Sequence, residues 1–204
     1  TMIDLMNTGG GSNNVHHYHY NTIVRYNYIY TDADYNLAYA CEGIQMQGNV
    51  AGGGAAYGDQ VKRVQIYGNV IENLVRGAGI LSAWYTDSIW VYNNTIVNTQ
   101  KGLAFSQSHA GVHAWIKNNI FHVNQPNYTL YLATTTNKEV DNNLYFHTST
   151  TIWNIVGSSS YSGTNGFTNY RNATGWDANG YNTNPLFLGS GQYPYSLALG
   201  SVGI

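Results

Sequence analysis

Two cationic and three acidic residues are the first candidates for chemistry. Arg76 and Lys101 lie 25 residues apart, so a fold that repeats with that period would place them on adjacent turns. Asp32, Asp34 and Glu42 offer the hard oxygen ligands that Ca²⁺ prefers. One interpretation of these five residues is a charged site that holds calcium as a cofactor. The alternative is an ordinary cluster of surface charges.

Aromatic residues recur at the same spacing. Trp90 and Trp115 are 25 residues apart, and so are Tyr67 and Tyr92. On adjacent turns they would form a flat strip on which the C–H face of a sugar ring can stack. The alternative is that residues 153–204 fold back over the strip, since large exposed apolar patches are rare without a role.

Histidines and further aromatic residues mark a third group. His17 and His19 would share one face of an extended strand, a spacing that suits either a metal ion or a general base. A groove for sugar hydroxyls is the alternative for the same pair. Trp84, Tyr85 and His109 are predicted to line one wall of a cleft.

A repeated segment must position these residues. In five segments an apolar residue stands three positions before an asparagine and another stands two positions after it. The asparagines are Asn27, Asn69, Asn94, Asn119 and Asn143, with spacings of 42, 25, 25 and 24 residues. A period near 25 residues with three short strands predicts the coil of a parallel β-helix, because neither a helical repeat nor a four-stranded blade fits it.

The repeated asparagine is predicted to be structural. Its side chain suits a tight bend with left-handed backbone and can bond to its equivalent in the coil ~4.8 Å away. A third strand is predicted eleven residues after it, with Ile80, Phe105 and Leu130 in one row. Ile44 joins that row if six extra residues are looped out of the first coil.

Composition limits the fold and the partners. Charged residues make up 9% of the chain, too few for the wet faces of amphipathic helices, so we expect an all-β protein. The net charge of −2 argues against nucleic acid as a partner, and no apolar run is long enough for membrane insertion. A single cysteine, Cys41, excludes an internal disulfide framework.

The 204 residues fit one β-helix domain, either complete or part of a longer chain. Residues 1–20 are predicted to be the end of an earlier coil or a cap, 21–150 the stacked coils, and 151–204 an irregular C-terminal covering region. Uncapped coils expose strand edges, so self-association through the solenoid ends is expected.

Three repeats carry a family resemblance. Val91-Tyr-Asn-Asn-Thr-Ile-Val-Asn98, Ile116-Lys-Asn-Asn-Ile-Phe121 and Val140-Asp-Asn-Asn-Leu-Tyr145 resemble the right-handed parallel β-helix proteins of the pectate lyase superfamily. The tail from Asn184 to Phe187 and from Gly200 to Ile204 is similar to the closing segment of many members. In the lyases of that superfamily, cations neutralise a uronate carboxylate while a Lys or Arg removes the C5 proton. The resemblance implies these roles for Arg76 and Lys101.

We therefore expect a secreted or cell-surface protein that binds a polysaccharide. One version of this hypothesis is a lyase that cleaves an acidic glycan by β-elimination, and a glycoside hydrolase is the other enzymatic version. The alternative from another class is a non-catalytic adhesive or fibre-forming protein of the cell surface.

Overall fold

Parallel strands stacked in three sheets form the molecule. The computed structural model describes residues 3–6, 18–31, 41–48, 60–106, 113–123, 128–147, 152–190 and 194–203. Apart from an antiparallel hairpin at the end of the first sheet, neighbours within each sheet are not consecutive in the chain, because the chain visits the three sheets in turn before it returns to the first. This is a parallel β-helix, which confirms the predicted fold. Its right-handed sense stays a prediction.

The strands have the following bounds. Sheet 1 contains β1 (Ile3–Met6), β5 (Ile44–Gln47), β8 (Ala78–Ala83), β11 (Lys101–Phe105), β14 (Leu130–Leu132), β17 (Ile152–Val156) and the antiparallel β18 (Ser159–Ser162). Sheet 2 contains β2 (Tyr18–Tyr20), β3 (Ile23–Arg25), β6 (Gln60–Tyr67), β9 (Thr86–Tyr92), β12 (Ala114–Lys117) and β15 (Lys138–Asp141). Sheet 3 contains β4 (Tyr28–Tyr30), β7 (Val70–Glu72), β10 (Thr95–Val97), β13 (Ile120–Val123), β16 (Leu144–His147) and β19 (Tyr181–Asn182).

Rows of apolar side chains fill the interior along the solenoid axis. The residues three before each repeated asparagine pair with one another across sheet 2, and those two after it pair across sheet 3. The rows are Val24, Ile66, Val91, Ile116 and Val140, and Ile29, Ile71, Ile96, Phe121 and Tyr145. All ten are at most 5% exposed. Removal of these side chains from water is the main stabilising contribution to the stack.

A left-handed residue makes the bend between sheets 2 and 3. It is the residue before the repeated asparagine, not the asparagine itself as the sequence predicted. The bend residues are Tyr26, Gly68, Asn93, Asn118 and Asn142, with φ between 55° and 65°. Asparagine tolerates this region better than most side chains. The Asn-Asn pair thus combines a bend residue with a buried residue.

The second asparagine of each pair forms the predicted ladder. Asn69 donates from its backbone nitrogen and from Nδ2 to Oδ1 of Asn94, at 3.1 and 2.9 Å, and Nδ2 also bonds the carbonyl oxygen of Val24 at 3.0 Å. Asn94 and Asn119 repeat the pattern towards the next coil. The ladder therefore satisfies buried polar groups at the bend, and its asparagines have a structural role.

The register of sheet 1 differs from the predicted row. Ile80 pairs with Leu103 and Leu103 with Leu130, while Phe105 pairs with Ser82 and Leu132. Ile44 pairs with Ile80, as expected. The shift arises because the turn from sheet 3 to sheet 1 varies in length between coils. Equal sequence offsets therefore do not predict neighbours in this sheet.

The C-terminal chain closes the last coil. Helix α1 (Gly166–Thr174) packs on β17 and β18, and it buries Phe167 and Tyr170. The Phe167 ring lies 5.4 Å from that of Tyr145, which belongs to the last interior row. Strand β19 then pairs with β16 and extends sheet 3. The helix thereby covers apolar side chains that would otherwise face water.

Candidate functional site

Stacked aromatic rings lie on the outer side of sheet 2. We call the surface formed by Trp90, Trp115, Tyr67 and Tyr92 the aromatic face. The two tryptophans pair in register, with ring centroids 4.7 Å apart and planes inclined by 5°. The two tyrosines are 4.8 Å apart and inclined by 8°. All four are partly exposed. The predicted strip is present, but rings this close overlap, so they present mainly their edges to solvent.

The described C-terminal elements pack elsewhere. Helix α1 lies on β17 and β18, whereas Phe187 packs 5.8 Å from the ring of His122 on sheet 3. These contacts place them at the end of the solenoid and over sheet 3. The sequence leaves open whether the C-terminal region covers the tryptophans. The principal packing contacts of residues 152–190 and 194–203 do not support that alternative.

Hydrogen-bonding and charged groups border the aromatic face. Arg25 donates to the hydroxyl of Tyr67 at 3.0 Å, and the hydroxyl of Tyr92 donates to Gln65 at 3.2 Å. Lys117 pairs with Glu139 at 2.7 Å, and this contact lowers the pKa of the Glu139 carboxyl. Exposed pairs of this kind contribute little to stability.

An aspartate–histidine pair lies at the start of the same strands. Nδ1 of His113 is 2.7 Å from a carboxylate oxygen of Asp87, which also accepts the His113 backbone N–H at 3.1 Å. Partial burial alone would raise the pKa of Asp87, but the bonds to His113 bring it below its usual value. These bonds hold the His113 imidazole in one position, directly before β12 and two residues before Trp115.

A cleft lies beyond the other end of these strands. We call it the amide cleft; its volume is about 370 Å³. It runs beside the bend residues, and its lining consists of Asn93, Asn118, Asn119, Ile120, Asn142, Leu144, Asn179, Tyr181, Val202 and Gly203. Asn93, Asn118 and Asn142 are exposed, and Tyr181 is 53% exposed. The cleft thus combines amides, a phenol and a small apolar floor.

The two candidate cations do not share a row. Lys101 pairs in register with Ala78, and Arg76 lies exposed in the turn before β8. The Lys101 ammonium is 5.6 Å from the ring centroid of Tyr128. Burial, the main cause, raises the pKa of Tyr128 to about 12. The structure therefore brings Lys101 to Tyr128 rather than to Arg76.

Glu42 has a local partner. Its carboxylate accepts a hydrogen bond from the backbone nitrogen of Ala78. Burial raises the pKa of Glu42, and the Ala78 bond and the charge of Lys101 partly oppose that shift. Glu42 therefore neutralises part of the positive charge that an anionic ligand would meet at Lys101.

The remaining predicted site residues lie in other parts of the fold or outside the described residues. His19 lies in β2 and pairs with Val61, while Trp84 is exposed and Tyr85 half-buried in the turn before β9. Four candidates lie outside the described residues: His17, Asp32, Asp34 and His109. Among the residues that the structure describes, no group of three or more His, Cys, Asp or Glu is placed to hold a metal ion. No helix in that part of the chain is long and apolar enough to cross a membrane.

Sequence reasoning did not find the amide cleft. The sequence feature that marks the cleft is the first asparagine of each Asn-Asn pair. The repeat pattern does not distinguish its role from that of the ladder asparagine beside it. The other wall, with Asn179 and Tyr181, comes from a segment that follows helix α1 and has no repeat to locate it. Comparisons of the chain with protein-family models, curated proteins and solved structures find no match. The geometry of the chain itself must therefore support any functional proposal.

Proposed function

We propose that this protein is a polysaccharide-binding β-helix exposed to the outside of the cell, which holds an extended glycan along sheet 2 and the bend beside it. The observation that carries the proposal is the repetition of side chains on adjacent coils. Trp90 stands over Trp115, Tyr67 over Tyr92, and Asn93 beside Asn118. Each row repeats at the ~4.8 Å strand spacing.

A repeating surface suits a repeating ligand. A sugar residue in an extended chain is about as long as this ~4.8 Å spacing, so each coil can offer the same contacts to successive sugars. The amides of the bend supply hydrogen bonds, while the ring edges of the aromatic face supply apolar contact. The low content of charged residues, 9%, also suits a ligand whose groups are mostly hydroxyls.

The resemblance to the pectate lyase superfamily supports polysaccharide as the partner, since many members act on such polymers. Its β-elimination chemistry requires a cationic group free to meet a uronate. Lys101 lies beside Tyr128 and has Glu42 close enough to interact with it. Binding is therefore the core of the proposal, and lyase activity is a separate outcome of the test.

Affinity electrophoresis through gels that contain neutral or acidic polysaccharides tests the proposal. Retardation of the wild-type protein in at least one gel is expected, and it should weaken at least tenfold in Trp115→Ala. Tyr161→Ala, a change of a half-buried aromatic residue on β18, is the matched control. Equal mobility in every gel would contradict the proposal. A rise in absorbance from unsaturated uronate in the same mixtures, abolished in Lys101→Ala, would show a lyase.

A further inference from the structure

We propose that the amide cleft is a subsite for an uncharged sugar residue with adjacent free hydroxyls. This inference rests on the proposed function and specifies its substrate class as a neutral glycan. All ten residues that line the cleft are uncharged. The acidic glycan expected from the family resemblance would require a cation there.

The amides of the bend are the main recognition groups. Asn93, Asn118 and Asn142 stand on adjacent coils, because the residues before them, Tyr92, Lys117 and Asp141, pair in register. Among the described residues, no side-chain hydrogen bond involves these three amides, and all three residues are exposed. An amide presents both a donor and an acceptor. Neighbouring hydroxyls of one sugar ring present the same combination, so the two sets are complementary.

The bend holds these amides in place. Each residue has φ between 55° and 59°, and the next residue is an anchored member of the buried ladder. A ligand therefore meets groups whose backbone is already ordered, which reduces the entropy lost on binding. The spacing along the axis is that of the strands, ~4.8 Å.

The opposite wall supplies a ring and apolar contact. Tyr181 is 53% exposed. It pairs in register with Leu144 of β16, so its side chain stands at the end of the row of residues that forms the floor of the cleft. Ile120 and Leu144 belong to that floor, and Val202 lies at its rim. A sugar has a C–H face for such a surface and hydroxyls for the amides.

Nearby charge disfavours an anionic sugar. Asp141 accepts two bonds from Asn179, which lines the cleft, at 3.0 and 2.9 Å. Partial burial would raise the pKa of Asp141, but these bonds and others lower it below its usual value, so the carboxylate is charged at neutral pH. Lys117 stands beside it, but Glu139 already pairs with that lysine at 2.7 Å. A uronate carboxylate would thus meet negative charge without an unpaired cation.

Glycine substitutions test the subsite without disturbing the bend. Asn118→Gly and Asn142→Gly remove the amide and keep the left-handed backbone, which glycine adopts readily. Asn137→Gly is the matched control: Asn137 is exposed, has φ 55°, and lies at the other end of β15, away from the cleft. Melting temperatures of all three variants check that the fold is retained. Tyr181→Ala tests the opposite wall independently.

Binding is measured by titration calorimetry with a soluble neutral glucan, a neutral mannan, xylan and polygalacturonate. We expect at least one neutral polymer to bind, and Asn118→Gly and Asn142→Gly to weaken it about tenfold each, as for loss of one or two hydrogen bonds. Asn137→Gly should bind as the wild type does. Unchanged binding in both cleft variants, or binding of polygalacturonate alone, would overturn the inference but leave the proposed function standing. Binding of no polymer would overturn the proposed function itself.

Discussion

Asn143 donates its backbone N–H and its side-chain amide to the same oxygen of Asp177, at 3.0 and 2.9 Å. Each earlier member of the ladder donates in the same way to the next asparagine, so the last one needs a partner that only accepts. Asp177 is that partner, and its second oxygen accepts from the hydroxyls of Tyr145 and Tyr170 at 2.6 and 3.0 Å. The carboxylate is fully buried and terminates the ladder.

Asp177 is therefore expected to be critical for closing the last coil. Asp177→Ala should lower the free energy of unfolding by about 3 kcal/mol or more, because four donors lose their acceptor in the interior. Asp177→Asn keeps one acceptor oxygen and should cost less, about 2 kcal/mol. Urea denaturation of the two variants measures both values. A loss below about 0.5 kcal/mol in Asp177→Ala would contradict the assignment.

The two asparagines of one pair should respond differently to substitution. Asn94→Ala removes a buried amide that bonds Ile66, Tyr92 and Asn119, and it leaves Asn69 without an acceptor. We expect a loss of about 3 kcal/mol or more. Asn93→Gly keeps the left-handed bend and should change stability by less than about 1 kcal/mol. Similar losses in the two variants would show that the division of roles is wrong; differential scanning calorimetry makes the comparison.

The buried Lys138 should make stability depend on alkaline pH. Lys138 is 7% exposed, and its ammonium donates to the Thr134 hydroxyl at 3.0 Å and to the Thr136 carbonyl at 3.4 Å. Burial lowers the pKa of Lys138 from 10.5 to about 8. The unfolded chain thus holds the proton more tightly, so stability should rise as pH increases from about 8 to 10.5.

Lys138→Met removes that dependence. The variant should be more stable than the wild type at neutral pH, by at most about 3 kcal/mol, with the difference vanishing above the unfolded pKa. Guanidinium denaturation at a series of pH values measures the difference. Lys62→Met, at the start of β6, controls for the loss of one positive charge. A destabilised Lys138→Met at neutral pH would mean that its hydrogen bonds outweigh its desolvation.

His122 should make the protein sensitive to acid. Its ring lies 5.0 Å from that of Phe146, and burial, with a smaller effect of His147, lowers its pKa below 6.5. As pH falls below 6.5, the unfolded chain binds a proton at His122 before the folded chain does. The neutral His122 therefore contributes its full stabilisation above pH 6.5, and this contribution decreases as pH falls towards the lowered pKa of the folded state. Denaturation midpoints should fall on acidification, and His122→Phe should reduce the slope. An identical slope in the variant would assign the effect to other groups.

The coil could be predicted from the sequence because each repeat encodes it locally. Val91, Ile96 and their equivalents stand a fixed number of positions from the repeated asparagine. In the structure, equivalent residues of neighbouring coils pair in register. The register of sheet 1 could not be predicted in the same way. The connection to β11 is shorter than that to β8, so Lys101 pairs with Ala78 although the sequence offsets favour Arg76.

The sequence by itself determined the solenoid, the inward rows of sheets 2 and 3 and the asparagine ladder, since these depend on contacts that recur in every coil. The tertiary structure decided what lies at the places where the period is broken. Asp177 reaches the ladder 34 residues after Asn143, with helix α1 between them, and Tyr181 then completes the amide cleft. Such contacts join segments without a common spacing. Only the packing of the C-terminal chain on the last coil brings them together.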